Sequence, residues 1–111
     1  LGGIIAPGLA LGAKALSQAA ARLPRVELKA PTSVIGTSTR EAMQAGVVMG
    51  EVARIDGLLD LVLAELGCEA PVVVTGADAD AMAALLRHGA RADQTLTLRG
   101  LRRLHELNRR R

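Results

Sequence analysis

The sequence predicts an α/β fold. Three observations point there: a β-branched run, Pro71-Val72-Val73-Val74-Thr75-Gly76; helical patterns on both sides of it; and a long helical stretch that runs without proline up to Gly67. Continuous β-branched runs suit a parallel sheet covered on both faces. The predicted order is strand, helix, extended piece, long helix, strand, helix, helix, which is an α/β order. Two strands make a thin layer, so the expected architecture is an incomplete sheet flanked by helices.

Taken in order, Gly3-Ile4-Ile5-Ala6 reads as a short buried strand ended by the Pro7-Gly8 turn. An amphipathic helix follows, with Leu9, Ala13, Leu16, Ala20 and Leu23 on one face, and Pro24 stops it. Arg25 to Lys29 alternates, with Val26 and Leu28 against Glu27 and Lys29, and reads as an extended edge segment framed by prolines.

The long helix comes next. Ser38 followed three residues later by Glu41 is a capping box: the hydroxyl accepts a free amide at the helix start, and the carboxylate reaches back. Gly67 is placed to close the far end in the left-handed conformation. Between them lie roughly 28 residues, or ~42 Å of helix. Ile55, Leu58, Leu59, Val62 and Leu66 form an apolar stripe, and Ala42, Gly46, Gly50, Ala53 and Gly57 form a stripe of small residues. Each interior glycine costs about 1 kcal/mol relative to alanine. Three on one stripe imply close approach of another backbone. Spacing leaves open whether that backbone belongs to the same subunit or to a second one.

Beyond the β-branched run, Asp78 is placed to cap a helix carrying Met82, Leu85 and Leu86 and closing at Gly89. Residues 90–96 read as a loop. Thr97 is placed to cap a last helix with Leu98, Leu101, Leu104 and Leu107 on one side.

Composition narrows the chemistry. Half of the 111 residues are hydrophobic and none is aromatic, so any core is built from Leu, Val, Ile, Ala and Met. Net charge is +3, but residues 99–111 hold six arginines and one acid, leaving −2 for the remainder. Without aromatics a single-stranded nucleic acid has no stacking platform, and a solvated helix end accounts for the basic tail, so no nucleic-acid partner is expected. Cys68 is alone, which excludes an internal disulfide and a cysteine cluster. His88 and His105 have no ligand-spaced neighbours, and no metal is assigned to them. The apolar opening is too short to span a membrane and lacks a basic leader, so neither membrane nor signal peptide is expected. It begins inside a patterned segment, as a chain starting mid-protein does.

Two glycine-rich turns lie at the carboxyl ends of predicted strands: the one opening at Gly2-Gly3, and Thr75-Gly76. That edge is where ligands sit in open α/β sheets. The first is not a phosphate loop, because Gly8 is followed by Leu9 rather than by Lys and Ser/Thr. Asp78 and Asp80 are explained by their place at a helix start. Thr37 and Thr39 flank the capping Ser38 without a structural task of their own.

Several segments, in order, resemble the C-terminal half of type III pantothenate kinases. They are Gly2-Gly3-Ile4-Ile5-Ala6-Pro7-Gly8, Leu23-Pro24-Arg25-Val26-Glu27-Leu28, Ile35-Gly36-Thr37-Ser38-Thr39-Arg40-Glu41-Ala42-Met43-Gln44-Ala45-Gly46, Val74-Thr75-Gly76 and Leu96-Thr97-Leu98-Arg99-Gly100-Leu101. The resemblance implies a ribonuclease-H-like fold of the actin-like/sugar-kinase superfamily, with residues 1–111 forming the C-terminal domain of a two-domain enzyme. It implies a cytoplasmic homodimer, paired through the 39–66 helix, that transfers a phosphoryl group from ATP to pantothenate in coenzyme A synthesis. Magnesium with ATP and a monovalent cation, potassium or ammonium, are implied as cofactors, with their ligands outside this chain. Thr39 matches the pantothenate-contacting threonine, and Gly2, Gly3, Thr75 and Gly76 match nucleotide-contacting turns. No catalytic residue is expected within the chain, because the family's catalytic aspartate precedes this segment. Ala77 stands where the family has a second glycine, and Ser38 where it often has asparagine. The same resemblance admits an alternative: a non-catalytic accessory relative of the same fold, or an inactive fragment.

Overall fold

Residues 1–19, 27 and 29–109 are described here from a computed structural model. The elements are α1 (Leu9–Ala19), α2 (Thr39–Leu66), β1 (Val73–Val74), α3 (Ala79–Leu85), β2 (Arg91–Ala92) and α4 (Leu96–Arg109). The chain forms two units, Leu1–Gly57 and Leu58–Arg111, with the division inside α2.

In the first unit, residues 1–8 are irregular and exposed rather than a buried strand, and Ile5 is fully open to solvent. A lone extended run buries nothing unless a neighbouring strand takes its backbone groups. Helix α1 starts after Pro7-Gly8, with the Gly12 amide donating to the Gly8 carbonyl at 3.0 Å. Its half-buried face is Leu9, Ala13 and Ser17, while Leu16 is exposed. Ala20, Leu23, Pro24, Val26 and Leu28, on which the end of the helix and the edge segment were expected, lie outside the described residues.

Helix α2 runs 28 residues. Its core face is Ala45, Val48, Val52 and Asp56, at helical spacing, and Met43 is buried as well. The predicted apolar stripe lies further along: Ile55, Leu58 and Leu59 are half-buried, whereas Val62 and Leu66 are exposed. The small-residue stripe is exposed from Ala42 to Gly57. A β-carbon added at Gly46, Gly50 or Gly57 meets nothing within 4 Å, so among the described residues no backbone approaches there. The expected close approach is absent among the described residues. Instead, Gly46 and Gly50 share with Gly8, Leu9 and Gly12 of α1 an open groove of about 280 Å³. Arg54, on the same groove, donates to the Pro7 carbonyl and to Glu51. Gly67, with φ +67°, ends α2 in the left-handed conformation, its amide donating to the Leu63 carbonyl at 3.0 Å.

The second unit holds a β-α-β hand. Strands β1 and β2 pair in parallel, Val73 opposite Arg91 and Val74 opposite Ala92. The Arg91 amide donates to the Val72 carbonyl at 3.0 Å and that of Asp93 to Val74 at 2.8 Å. Helix α3 crosses between the two strands and packs on both, burying Ala79 and Met82, with Leu86 buried just beyond its end. The expected fully buried strand is therefore corrected: Val73 is exposed and Val74 half-buried, in a two-stranded sheet on which α3 packs. The expected 90–96 loop contains β2, whose polar Arg91-Ala92 pair has no strand signature in sequence. Helix α3 ends at Leu86, where the backbone turns extended, rather than at Gly89.

Two expected caps shift as well. Asp78 occupies the cap position of α3, but its side chain makes no capping hydrogen bond; its carbonyl takes the Met82 amide at 2.9 Å. Helix α4 starts at Leu96, with Thr95 rather than Thr97 before its first turn. The Asp93 carboxylate accepts the Thr95 amide at 3.0 Å and its hydroxyl at 2.9 Å. That carboxyl is held below its ordinary value chiefly by the Thr95 hydroxyl. At the end of α2, Asp60 accepts Arg87 Nη2 at 2.7 Å and pairs with His88 Nε2 at 2.9 Å.

Candidate functional site

The turn that opens α2 carries the densest polar network in the first unit. Glu41 sits in the first helical turn. Its Oε2 accepts the Thr37 amide at 2.8 Å and the Thr37 hydroxyl at 2.7 Å. The Glu41 amide in turn donates to Ser38 Oγ at 3.2 Å. This is the predicted capping box, with the carboxylate anchored mainly on Thr37. Thr37 therefore has a task that sequence reasoning missed. The signal was its i, i+4 spacing from Glu41. The Thr37 hydroxyl is the main reason why the Glu41 carboxyl is held below its ordinary value.

The turn is set by a steric constraint too. A β-carbon at Gly36 would lie 2.3 Å from the Ala42 amide nitrogen and 2.6 Å from the Glu41 carbonyl carbon. Backbone cannot yield as a flexible side chain does, so only glycine fits against the helix head. Ser33 Oγ donates to the Ile35 carbonyl at 3.1 Å, and Gln44 Nε2 donates to the Lys29 carbonyl at 2.9 Å. Between them lies a hollow of about 220 Å³, lined by Pro31, Ser33, Ile35, Thr37, Glu41 and Gln44 among others. Its walls carry hydroxyls, an amide and a carboxylate beside an apolar Pro and Ile.

Thr39 is the first residue of α2 and is exposed; it stands beside the clamp but does not line the hollow. Gly2 and Gly3 lie in the exposed irregular segment, in open space. Thr75 and Gly76 belong to the second unit, in the exposed turn between β1 and α3. Gly76 has φ +113°, a conformation that side chains disfavour, and its carbonyl accepts the Ala79 amide at 3.2 Å. Ala77, next to it, is exposed. Asp80 accepts Gln94 Nε2, which ties it to the segment before α4. Cys68 is exposed, one residue past Gly67. Among the described residues, no group of three or more His, Cys, Asp or Glu side chains could hold a metal ion. No helix among them is long and apolar enough to cross a membrane.

Comparison with known proteins gives these turns a context. Residues 1–61 match the family model for type III pantothenate kinase. Relatives bearing that name include one from Anaeromyxobacter sp. (strain K), 45% identical over 109 residues that cover 98% of this chain and 43% of the relative. The relative from Roseiflexus sp. (strain RS-1) is 45% identical with the same coverage. That from Koribacter versatilis is 43% identical over 108 residues, covering 97% of this chain and 39% of the relative. The chain thus spans about two fifths of the length of the curated relatives it matches. The glycine-rich opening, the capped turn and most of α2 all fall within the matched segment, and this chain belongs to the type III pantothenate kinase family.

Proposed function

We propose that the chain is the C-terminal domain, ribonuclease-H-like in fold, of a two-domain cytoplasmic kinase that phosphorylates pantothenate with ATP. The observation that carries this reading is the build of the α2 head within the family match. Thr39 is presented to solvent at the first helical position, on a turn fixed by the Thr37–Glu41 clamp and by the close approach at Gly36. A hydroxyl held in that way meets a ligand hydroxyl or amide without first losing conformational freedom, which is how preorganised contacts gain strength. The exposed Thr75-Gly76 turn precedes α3, with Gly76 at a positive φ that favours glycine, and Gly2 and Gly3 are open enough for phosphate to reach the main chain. These four residues are proposed for the nucleotide and Thr39 for pantothenate.

Phosphoryl transfer depends on positioning and on neutralising charge. Magnesium and a monovalent cation would supply that charge from ligands outside this chain, which by itself is expected to lack turnover. The exposed small-residue face of α2 is proposed as the homodimer seam, since glycines free of neighbours among the described residues admit the backbone of a second chain. Thr39→Ala in the whole kinase carrying this chain is expected to raise the pantothenate KM about tenfold, one lost hydrogen bond's worth, and to leave the ATP KM in place. An unchanged pantothenate KM would remove Thr39 from the site.

A further inference from the structure

Residues 29–37 reach the head of α2 without helix or strand, yet their path is pinned near both ends by one face of that helix. Glu41 and Gln44 are three residues apart on α2, a spacing that puts both side chains on the same face. Gln44 Nε2 donates to the Lys29 carbonyl at 2.9 Å, and Glu41 Oε2 accepts the Thr37 amide at 2.8 Å and the Thr37 hydroxyl at 2.7 Å. Between the pins, Ser33 Oγ donates to the Ile35 carbonyl at 3.1 Å, and Gly36 lies too close to the Ala42 amide for any side chain to fit. The segment is thus a strap, and the hollow of about 220 Å³ beside it is lined by the strap and by the two pinning side chains. A helix cap needs only Ser38 and Glu41. The Gln44 pin, fifteen residues from its partner in sequence, contributes nothing to that cap.

Resting on the kinase reading above, we propose that the strap 29–37 is a wall of the pantothenate site, and that Gln44 and Glu41 are positioning residues that set this wall before the substrate arrives. Thr39 follows the pinned Thr37 by two residues, with the capping Ser38 between them, so the end of the strap and the substrate-facing hydroxyl share one fixed turn. The strap brings Thr32, Ser33 and Thr37 to the hollow beside that turn. Ordering a segment that has no helix or strand to hold it costs conformational entropy at every residue. With both pins made, that cost is met on folding. With a pin removed, it falls on the binding step and weakens affinity. Gly2, Gly3, Thr75 and Gly76, proposed for the nucleotide, belong neither to the strap nor to the lining of the hollow, so the effect falls on pantothenate and not on ATP.

The test uses the whole kinase carrying this chain. Gln44→Met keeps the length of the side chain but has neither the donor nor a charge. It is expected to raise the pantothenate KM about fivefold, with kcat and the ATP KM in place. Glu41→Ala should do the same, whereas Glu41→Gln, whose amide oxygen still accepts from Thr37, should stay within about twofold of the parent. Amide exchange across residues 30–37 should quicken in Gln44→Met and Glu41→Ala, and saturating pantothenate should slow it again. An unchanged pantothenate KM in Gln44→Met overturns the proposal. So does a matching fall in kcat or rise in the ATP KM, the mark of general damage to the fold, and so does quickened exchange that pantothenate fails to slow. A parent enzyme without pantothenate turnover sinks the kinase reading and the strap with it; a parent with turnover and a silent Gln44→Met sinks the strap alone.

Discussion

The two ends of α2 are built on different principles. The first two-thirds carries every buried residue of the helix, from Met43 to Asp56, and opens on a clamped turn. The last nine residues carry the most conspicuous leucine and valine pattern in the chain, yet Leu61, Val62 and Leu66 are exposed. Hydrophobic spacing thus marks where a helix is able to bury a face. What arrives to cover it is a separate matter, decided by the rest of the fold.

The sharpest way to break this comparison is one substitution in each half. Val52→Asp places an unpaired carboxylate at a buried position and is expected to destabilise the chain by about 3 kcal/mol. Leu61→Ala should change stability by no more than about 0.5 kcal/mol, both read from urea midpoints. Similar shifts would mean that the two halves are equally supported. Next in size is Gly36→Ala, expected to cost about 1–3 kcal/mol because the new methyl meets backbone; a melting temperature equal to that of the parent would refute the steric fit. Gly50→Leu sharpens the contrast from the outside. Among the described residues nothing lies within 4 Å of its β-carbon, so the melting temperature should hold, while the proposed dimer should weaken about tenfold in sedimentation equilibrium.

The smallest effect is a pH dependence at the helix head. The Glu41 carboxyl is held below its ordinary value by Thr37, so its clamp is fully present above the unfolded pKa of about 4.3 and is lost as pH falls through the lower folded value. Helicity at 222 nm should fall over that acid window, and Glu41→Gln should flatten the fall.

What the sequence made legible follows from which signals are local. The Ser38–Glu41 cap, the α2 boundaries and the left-handed Gly67 are set by residues within one or two turns of each other, and each appears where expected. Strand β2 escaped because Arg91-Ala92 is defined only by its partner across the ladder. The opening segment was misread for the converse reason: Ile4 and Ile5 look like a strand, but among the described residues no strand receives them. At the candidate site the capping role of Glu41 was legible and its grip on Thr37 was not, since a capping box directs the carboxylate to Ser38 instead. The resemblance carried Thr39; the two glycine-rich turns were reached from their place beside predicted strands, and no periodicity singled them out.

The chain has no Trp, Tyr or Phe, so it is dark to intrinsic fluorescence and nearly so to absorbance at the usual ultraviolet wavelength. Its single thiol, Cys68, stands exposed immediately beyond the glycine that ends α2. One maleimide dye attached there gives the unaltered sequence an optical reporter at a defined structural address, where anisotropy follows the ordering of the helix end through every titration described above.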